Sequence, residues 1–383
     1  MTDMDVATLT AELPRTALAL RGYNVTNLGR SRELLLHPAY NATVSRHLNE
    51  LSQIAAHWLQ RPVNLEALVH AGKETSLANY GEALALIVAM EMAHLELLAE
   101  HFDINYRKVR MSFGYSLGEV VALVVGGVLQ AEAALELPLT LADDCVDLAK
   151  DVTLGVLFTR STELPLDDVR RLCIEINTAG QGVVGISSIL SPNSVLLMGQ
   201  GDTLDRFAAA AKERLPLRLY LRKNDGHWPP LHTPIVWQRQ ICDRAAVRLH
   251  TLTMHMREPR PDVFSLVTGR FSYNDFNARD TLHDWVDHPQ RLWDAIYETL
   301  AMGISTVIHV GPEPNLIPAT FKRLADNVTQ QTRASFGMRA LSAAANRPWL
   351  QGLLPYRASL MRAPFVQHVI LEDWLLEHAP PTA

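Results

Sequence analysis

Hydrophobic residues recur at helical spacing through most of the first 150 residues. Leu48, Leu51, Ala55 and Trp58 fall on one face of a predicted helix, and residues 81–102 are apolar almost all round. A helix without a polar face belongs inside a large core. The pattern therefore predicts a mostly helical first block that buries the helix over residues 81–102.

Short apolar runs alternate with amphipathic stretches after residue 152. The runs LGVLFT, VVGISSIL, SVLLMG and LRLYLRK predict four strands, and LDDVRRLCIEIN and LDRFAAAAKERL predict two helices between them. The order βαββαβ is typical of a small ferredoxin-like domain. We predict an α/β fold in which this small subdomain, residues 153–222, is inserted into a large α/β-hydrolase-like subdomain formed by residues 1–152 and 223–340.

The pattern after residue 223 predicts another helix (PIVWQRQICDRAAVRL), a strand (STVIHVG) and a last helix (IPATFKRLADNV). Residues 341–383 form a C-terminal extension that is too apolar for a free tail, since it includes Trp349, Phe365 and Trp374. We expect the extension to pack on the body and only the final APPTA to be disordered.

Composition and charge narrow the class of protein. The chain has 383 residues, of which 48% are hydrophobic, and a net charge of −6 from 35 Lys plus Arg against 41 Asp plus Glu. A mildly acidic chain without a basic cluster argues against nucleic acid or an anionic membrane as a partner. The apolar stretch over residues 120–129 is about half the length of a membrane span. The N-terminus has no signal-peptide pattern, and three scattered cysteines suggest no disulfide framework. We expect a cytoplasmic protein.

The strongest chemical signal is Gly114-Tyr115-Ser116-Leu117-Gly118, which follows an extended run. It precedes an apolar helix predicted to begin near Leu117 and to run along VVALVVGGVLQAEAALE. A Gly-x-Ser-x-Gly in that context places the serine on a strained elbow, with the next backbone N–H facing any oxyanion formed there. Glycine and serine are common, so an incidental turn is the alternative interpretation.

A nucleophilic serine needs a base, and the chain contains 15 histidines. His232, in the segment Leu-His-Thr-Pro, lies where a strand gives way to a helix that starts with proline. His227, His255 and His309 have weaker contexts and are expected to be ordinary surface or core residues.

Several stretches over residues 15–330 resemble the malonyl-CoA:acyl carrier protein transacylases and the acyltransferase domains of polyketide synthases. GYSLGEVVALVVGGVL is similar to the family's GHSLGEYxALxxAGxL, and LALRGYNVTNLGRSRELL aligns without gaps with its FxFPGQGSQxxGMGRxL. PPLHTPIV is similar to the segment with the catalytic histidine, GISTVIHVGPEPNL to GVxxFxEVGPGxxL, and DWVDHPQRLW to the stretch that contains Pro-Val-Arg-Trp. The chain thus resembles a divergent, stand-alone member of this family.

The resemblance implies site residues and a reaction. Ser116 would accept the acyl group, and His232 would act as its general base and acid in a ping-pong transfer. The family's oxyanion hole uses two backbone N–H groups, which correspond here to Leu117 and Tyr23. The acyl group would move between coenzyme A and an acyl carrier protein, in fatty-acid or polyketide biosynthesis.

The departures from the family pattern concern the substrate. The malonyl enzymes use an arginine about 25 residues after the serine to pair with the free carboxylate, but Leu141 occupies that position and no arginine occurs between Arg110 and Arg160. A buried carboxylate without its partner is costly, so we predict a non-carboxylated acyl group. The positions expected to line an apolar acyl pocket are Tyr115, Leu141, Ser188, Leu190, Leu231 and Trp285.

Two alternatives remain open from sequence alone. The same Ser116–His232 pair would serve a thioester hydrolase, with water as the second acceptor, and the lost polar residues would suit a non-catalytic scaffold that binds a carrier protein. The spacing Glu91-x-x-His94 is that of a di-iron ligand pair, but such a site needs two copies and only one is present. We therefore expect these two residues to face solvent or to pair locally. We expect no metal and no cofactor beyond the phosphopantetheine of the substrate. Weak candidates for a carrier-protein patch are Arg32, Arg46, Arg222 and Lys223.

Overall fold

Residues 4–160, 162–215, 218–333 and 356–380 are described by a computed structural model of the chain. The α-helices are Val6–Glu12 (α1), Ser31–Leu36 (α2), Asn41–Leu59 (α3), Leu65–Ala71 (α4), Tyr80–Phe102 (α5), Leu117–Val125 (α6), Ala131–Ala149 (α7), Leu166–Thr178 (α8), Thr203–Arg214 (α9), Ile241–Thr251 (α10), Ala278–Asp287 (α11), Leu292–Ala301 (α12), Leu316–Arg333 (α13) and Leu371–Glu377 (α14). The strands are Thr16–Leu20 (β1), Met111–Gly114 (β2), Val152–Phe158 (β3), Val184–Ser191 (β4), Ser194–Gln200 (β5), Tyr220–His227 (β6), Asp262–Val263 (β7), Thr306–Val310 (β8) and Gln367–Ile370 (β9). Short 3-10 helices span Leu13–Arg15, Leu77–Asn79, Tyr106–Lys108, Pro234–Gln240 and Tyr356–Phe365.

The larger sheet is parallel and has the strand order β7-β2-β1-β8-β9. Every residue of β1 is buried, as expected for a central strand with both faces covered. The helix α5 packs against α3 and α7 and is buried along most of its length, as its all-round apolar pattern predicts. The carboxyl ends of β1, β2 and β8 meet at one edge of the sheet, which is where ligands bind in open α/β folds.

The smaller sheet is antiparallel and has the order β4-β5-β3-β6, with α8 and α9 in the two crossovers. This is the ferredoxin-like arrangement of a βαββαβ unit, and the predicted fold class is confirmed. The subdomain boundaries drawn from the sequence remain a prediction.

Two predicted helices are interrupted. The helix after the serine ends at Val125 instead of running on, because Gly127 has a φ of 76° and the chain restarts only at Ala131. The helix predicted from residue 234 is a 3-10 segment in which Gln238 and Arg239 leave helical backbone angles, and α10 begins at Ile241.

The described part of the C-terminal extension adds β9 to the edge of the parallel sheet, paired with β8. Trp374 and Leu375 of α14 are buried, and the indole N–H of Trp374 donates to the carbonyl of Met4 over 2.6 Å. Phe365 is 45% exposed, and Trp349 lies outside the described residues. No helix in the described ranges is long and apolar enough to cross a membrane.

Candidate active site

Ser116 lies on a sharp turn between β2 and α6. Its backbone angles, φ 56° and ψ −117°, are strained for a residue other than glycine. The two flanking glycines allow the turn: a Cβ at Gly114 would lie 2.0 Å from the carbonyl carbon of Gly118, and a Cβ at Gly118 would lie 2.3 Å from the oxygen of Leu20. The elbow geometry expected from the motif is therefore present, and α6 begins at the predicted residue, Leu117.

The Oγ of Ser116 and the Nε2 of His232 are 2.8 Å apart. The Nδ1 of His232 is 2.6 Å from the main-chain carbonyl oxygen of Trp285, which can only accept. The proton therefore sits on Nδ1, and Nε2 presents its lone pair to the serine hydroxyl. Burial lowers the pKa of His232 to about 4, although the carbonyl of Trp285 and the charge of Asp287 act to raise it. The imidazole is therefore neutral at pH 7.

Gln290 and Trp285 hold this pair in place. The backbone N–H of Ser116 donates to Oε1 of Gln290 over 3.1 Å, and the indole N–H of Trp285 donates to the carbonyl of Ser116 over 2.9 Å. Gln290 is fully buried, and its main chain bonds to Ser187 and Ile189 of β4. It thus joins the elbow of the parallel sheet to the antiparallel sheet. The sequence patterns did not identify Gln290.

The two residues expected to supply the N–H groups of an oxyanion hole, Leu117 and Tyr23, belong to segments next to the serine. Leu117 is the first residue of α6, so its N–H is one of the first-turn donors that have no partner within the helix. Tyr23 follows Gly22, where a Cβ would lie only 3.1 Å from the Cβ of Ser116. The loop after β1 therefore packs directly against the nucleophile elbow.

A cavity of about 200 Å³ opens beside Ser116 and His232. Its lining is largely apolar and aromatic: Tyr23, Tyr80, Tyr115, Leu154, Leu196, Met198, Trp228, Leu231, Leu316 and Ile317. Burial raises the pKa of both Tyr23 and Tyr115 to about 12, so these phenols are neutral. One wall comes from β3 and β5 of the small sheet, and the opposite side comes from loops at the carboxyl ends of β1 and β8.

Arg21 is the one cation among the described residues that line this cavity. All three nitrogens of its guanidinium donate to protein acceptors. Nε donates to the Gly22 carbonyl over 2.9 Å, and Nη2 donates to the Thr26 carbonyl over 2.9 Å and to Asn27 Oδ1 over 2.7 Å. Nη1 donates to the carbonyls of Pro312 and Glu313. These five bonds match the five N–H groups of an arginine, so none remains for a ligand carboxylate.

The positions predicted to bind substrate fall inside and outside the lining of this cavity. Tyr115 and Leu231 line the cavity, whereas four predicted positions lie elsewhere: Leu141, Ser188, Leu190 and Trp285. Leu141 is fully buried in the core on α7, and the hydroxyl of Ser188 donates to the Gln290 carbonyl over 3.0 Å. Trp285 acts on the dyad through its carbonyl and indole N–H. The small sheet instead contributes Leu154, Leu196 and Met198, which the sequence patterns missed.

Other polar candidates have structural roles. Glu91 and His94 are both fully buried, contrary to the expectation that they face solvent or pair locally. The carboxylate of Glu91 accepts the backbone N–H of Arg21 over 2.8 Å. Glu119, whose pKa burial raises to about 7, accepts the N–H of Leu266 and the hydroxyl of Tyr273. No group of three or more metal-binding side chains occurs within the described ranges.

Comparison with known proteins shows where this architecture recurs. An acyl carrier protein S-malonyltransferase from Vibrio cholerae superposes with a TM-score of 0.63 at 20% identity over 80% of this chain and 92% of its own. The acyltransferase domain from module 8 of the salinomycin polyketide synthase gives 0.63 at 19% identity over 81% of this chain and 67% of its own. The chain has the transacylase fold. The expected resemblance is thereby confirmed.

Sequence similarity to transacylases is low but spans most of the chain. The malonyl CoA-acyl carrier protein transacylase of Bacillus subtilis is 21% identical over 313 residues, which are 82% of this chain and 74% of that protein. The transacylase of Escherichia coli K12 is 27% identical over 227 residues, 57% of this chain and 67% of that protein. No family model matches the chain. Ser116, His232 and the apolar cavity are thus set in a transacylase fold whose sequence has diverged widely.

Proposed function

We propose that this protein is an acyltransferase that moves a non-carboxylated acyl group between thioesters through an acyl-enzyme on Ser116. The observation that carries the proposal is the Ser116–His232 pair at 2.8 Å beside an apolar cavity in a transacylase fold. Neighbours with that fold include an acyl carrier protein S-malonyltransferase and a polyketide synthase acyltransferase domain. A scaffold would have no need of the strained serine or of a neutral, correctly oriented imidazole.

The first half-reaction forms the acyl-enzyme. The Nε2 of His232 takes the hydroxyl proton as the Oγ of Ser116 attacks the thioester carbonyl carbon. The N–H groups of Leu117 and Tyr23 stabilise the negative charge on the carbonyl oxygen, and the positive end of α6 adds to this effect. The tetrahedral intermediate then expels the thiolate, which takes the proton from the imidazolium of His232.

The second half-reaction reverses these steps with another thiol. His232 removes the proton from the incoming thiol, the sulfur attacks the ester carbonyl, and Ser116 leaves with the proton returned by His232. The main-chain carbonyl of Trp285 keeps Nδ1 protonated throughout, so the same nitrogen serves as base and acid. A dyad suffices here, because a carbonyl dipole takes the orienting role that an aspartate has in a triad.

The lining of the cavity supports an uncharged acyl chain. A malonyl carboxylate would need a cation with free N–H groups, and Arg21 donates to five protein acceptors instead. Leu154, Leu196 and Met198 offer only apolar surface. Non-carboxylated acyl groups therefore lose least on transfer from water into this cavity.

The carriers are thioesters of phosphopantetheine, either coenzyme A or an acyl carrier protein, since the transacylase neighbours are named for a carrier protein. No further cofactor is part of the proposal. Of the four surface cations considered from sequence, Arg46 pairs with Glu96 and Glu50, and Lys223 pairs with Asp205. Arg32 and Arg222 are exposed.

The test is intact-mass measurement after incubation with a panel of acyl-CoAs of increasing length and with malonyl-CoA. We expect an acyl adduct on the wild-type protein, none on Ser116→Ala, and more adduct from uncharged chains than from malonyl-CoA. Preferential malonyl loading would contradict the substrate class, and the lack of any adduct or thioester consumption would favour the scaffold. Release of the adduct to a carrier-protein thiol identifies a transferase, whereas release to water alone identifies a hydrolase.

A further inference from the structure

The loop that follows β8, residues 311–315, leads into α13 beside the cavity and is held from two directions. From inside, the guanidinium of Arg21 bonds to the carbonyls of Pro312 and Glu313. From outside, the carboxylate of Glu372, in the first turn of α14, accepts the backbone N–H of Glu313 over 2.7 Å. The end of this loop and the first turn of α13 line the cavity together, through residues 314–318.

The same carboxylate also holds the segment after β1. The other oxygen of Glu372 accepts the N–H of Arg30 over 2.8 Å. Gly29 lies so close that a Cβ there would be 2.6 Å from Glu372 Oε2. The segment after β1 carries Tyr23, and Asn24 reaches across to Asn315 with a bond of 2.7 Å between Nδ2 and Oδ1. One buried side chain therefore links the two loops that flank the cavity.

We propose that Glu372 is a positioning residue, which fixes the cavity-lining loop against the segment that carries the Tyr23 N–H so that the acyl thioester binds a preformed site. This inference rests on the proposed function for its kinetic readout. Glu372 touches no reacting atom in this arrangement. Its effect passes through the main chain of Glu313 and Arg30, so the first quantity to change is the concentration of thioester that half-saturates acylation, not the rate at saturation.

The protonation state of Glu372 controls both bonds. An ionised carboxylate accepts from both N–H groups, whereas a protonated carboxyl keeps one oxygen as a full acceptor. Burial raises the pKa of Glu372 to about 7, opposed by the N–H groups of Arg30 and Glu313. The positioning is therefore complete above that pH and weakened below it. The charged groups that face Glu372 from the surrounding segments are Asp373, Arg21, Glu313 and Arg30, whose guanidinium pairs with Glu33 and Asp373.

The chain offers a matched control on the same turn of α14. Asp373 pairs with the guanidinium of Arg30 over 3.0 Å. It takes no part in the two bonds that Glu372 accepts from the backbone N–H groups of Glu313 and Arg30. The variant Asp373→Asn therefore removes a neighbouring charge and an ion pair, and leaves the link between the loops intact. Glu372→Gln keeps the size of the side chain but presents only one acceptor oxygen.

Two measurements on the full-length protein test the proposal. In hydrogen–deuterium exchange, the peptides that contain the amides of Glu313 and Arg30 should exchange on the order of 10-fold faster in Glu372→Gln than in wild type or Asp373→Asn. In acylation by an uncharged acyl-CoA, the half-saturating concentration should rise on the order of 10-fold in Glu372→Gln, with the saturating rate little changed. In wild type and Asp373→Asn the half-saturating concentration should rise as the pH falls from 8 to 6. In Glu372→Gln this concentration should stay high over the whole pH range.

Equal exchange in Glu372→Gln and Asp373→Asn would overturn the proposal whether or not the protein acylates, because exchange needs no substrate. Faster exchange together with an unchanged half-saturating concentration would also overturn it, since the loop would then be loosened without consequence for binding. A wild type that exchanges as expected but never acylates would contradict the proposed function instead.

Discussion

Gln290 provides the sharpest test of how the nucleophile is held. Its Oε1 accepts the backbone N–H of Ser116 over 3.1 Å. Ser116 is the residue whose φ of 56° is strained. The variant Gln290→Leu has similar volume but leaves that part-buried N–H without its acceptor. An unpaired donor that is fully buried costs about 1–3 kcal/mol, which is the upper limit here.

This cost limits the effect on the rate, because losing a bond that exists before and during the reaction slows acylation only as far as the elbow leaves its catalytic geometry. At about 1.4 kcal/mol per factor of ten, the rate of Ser116 acylation should fall by at most roughly 5- to 150-fold. The assay is rapid-quench acylation followed by intact-mass measurement at saturating acyl-CoA. The dyad itself is untouched, so the acid limb of the pH profile should not move. Gln290→Leu acylating at the wild-type rate would refute the argument that this bond supports the elbow.

Gln290→Glu is the matched control. A carboxylate oxygen still accepts from the N–H of Ser116, so the elbow should be retained. The Nε2 of Gln290 is 3.4 Å from the Nδ1 of His232, and a negative charge at that place favours the imidazolium. The pKa of His232 should therefore rise from about 4, and the acid limb of the profile should move to higher pH by one unit or more. An unmoved limb would show that the side chain at position 290 does not face the imidazole.

Four further predictions concern the pH dependence of the rate, the pH dependence of stability, the acyl chain length and malonyl loading. Because burial lowers the pKa of His232 to about 4, the saturating acylation rate should be flat from pH 8 to about 5 and half lost near 4; a midpoint near 6.5 in a stopped-flow pH series would contradict this. The same shift makes the free energy of unfolding fall as the pH drops from about 6.5 towards 4, measurable by urea titration. Met198→Trp should fill the cavity and move the preference among acyl-CoAs to shorter chains, while an unchanged length profile would place the acyl chain elsewhere. Leu141→Arg should lower the melting temperature by burying a charge and should not enable malonyl loading, which intact mass would detect.

The order of elements and the position of the serine were predictable because they depend on local patterns. Three elements are specified by residues that are close together in the sequence. They are α5 by its apolar run, the small sheet by short apolar runs that alternate with amphipathic stretches, and the elbow by the two glycines around Ser116. His232 was selected by its place before a helix that starts with proline and was assigned to the serine by the resemblance, and the structure brings the two residues to 2.8 Å. The elements thus follow from short-range spacing, whereas the Ser116–His232 pair depends on the fold.

The cavity wall was less predictable, because irregular backbone changes which side chains face it. The pairing of β4 with β5 shifts register between Ile186 and Ser188 and again between Ile189 and Ser191. Such bulges upset the strict alternation on which a strand prediction relies, and Ser187 lines the cavity while Ser188 does not. Leu141 was placed by counting from the serine, but α6 ends at Val125 and a new helix begins at Ala131. Its distance along the chain therefore did not fix its position in space.

Gln290 and Arg21 were missed for a different reason. Each acts through bonds to main-chain groups far away in the chain: Gln290 to Ser116 and to β4, and Arg21 to the loop at residues 312–313. A main-chain partner leaves no signature in the amino-acid sequence. Only the folded backbone shows which carbonyls and N–H groups come within reach.

The contact between the two sheets at Gln290 also bears on how this protein can evolve. The parallel sheet supplies Ser116, whereas Leu154, Leu196 and Met198 on the antiparallel sheet line part of the cavity beside it. At Gln290 the two sheets meet through main-chain bonds to Ser187 and Ile189, of 2.9 and 2.8 Å, which do not depend on side-chain identity. Under the proposed function, these three residues can thus be exchanged, singly or as a transplanted segment, with little disturbance to the Ser116–His232 pair. This part of the acyl preference can therefore change independently of reactivity, whereas Tyr115 and Leu231 line the cavity directly beside the serine and the histidine.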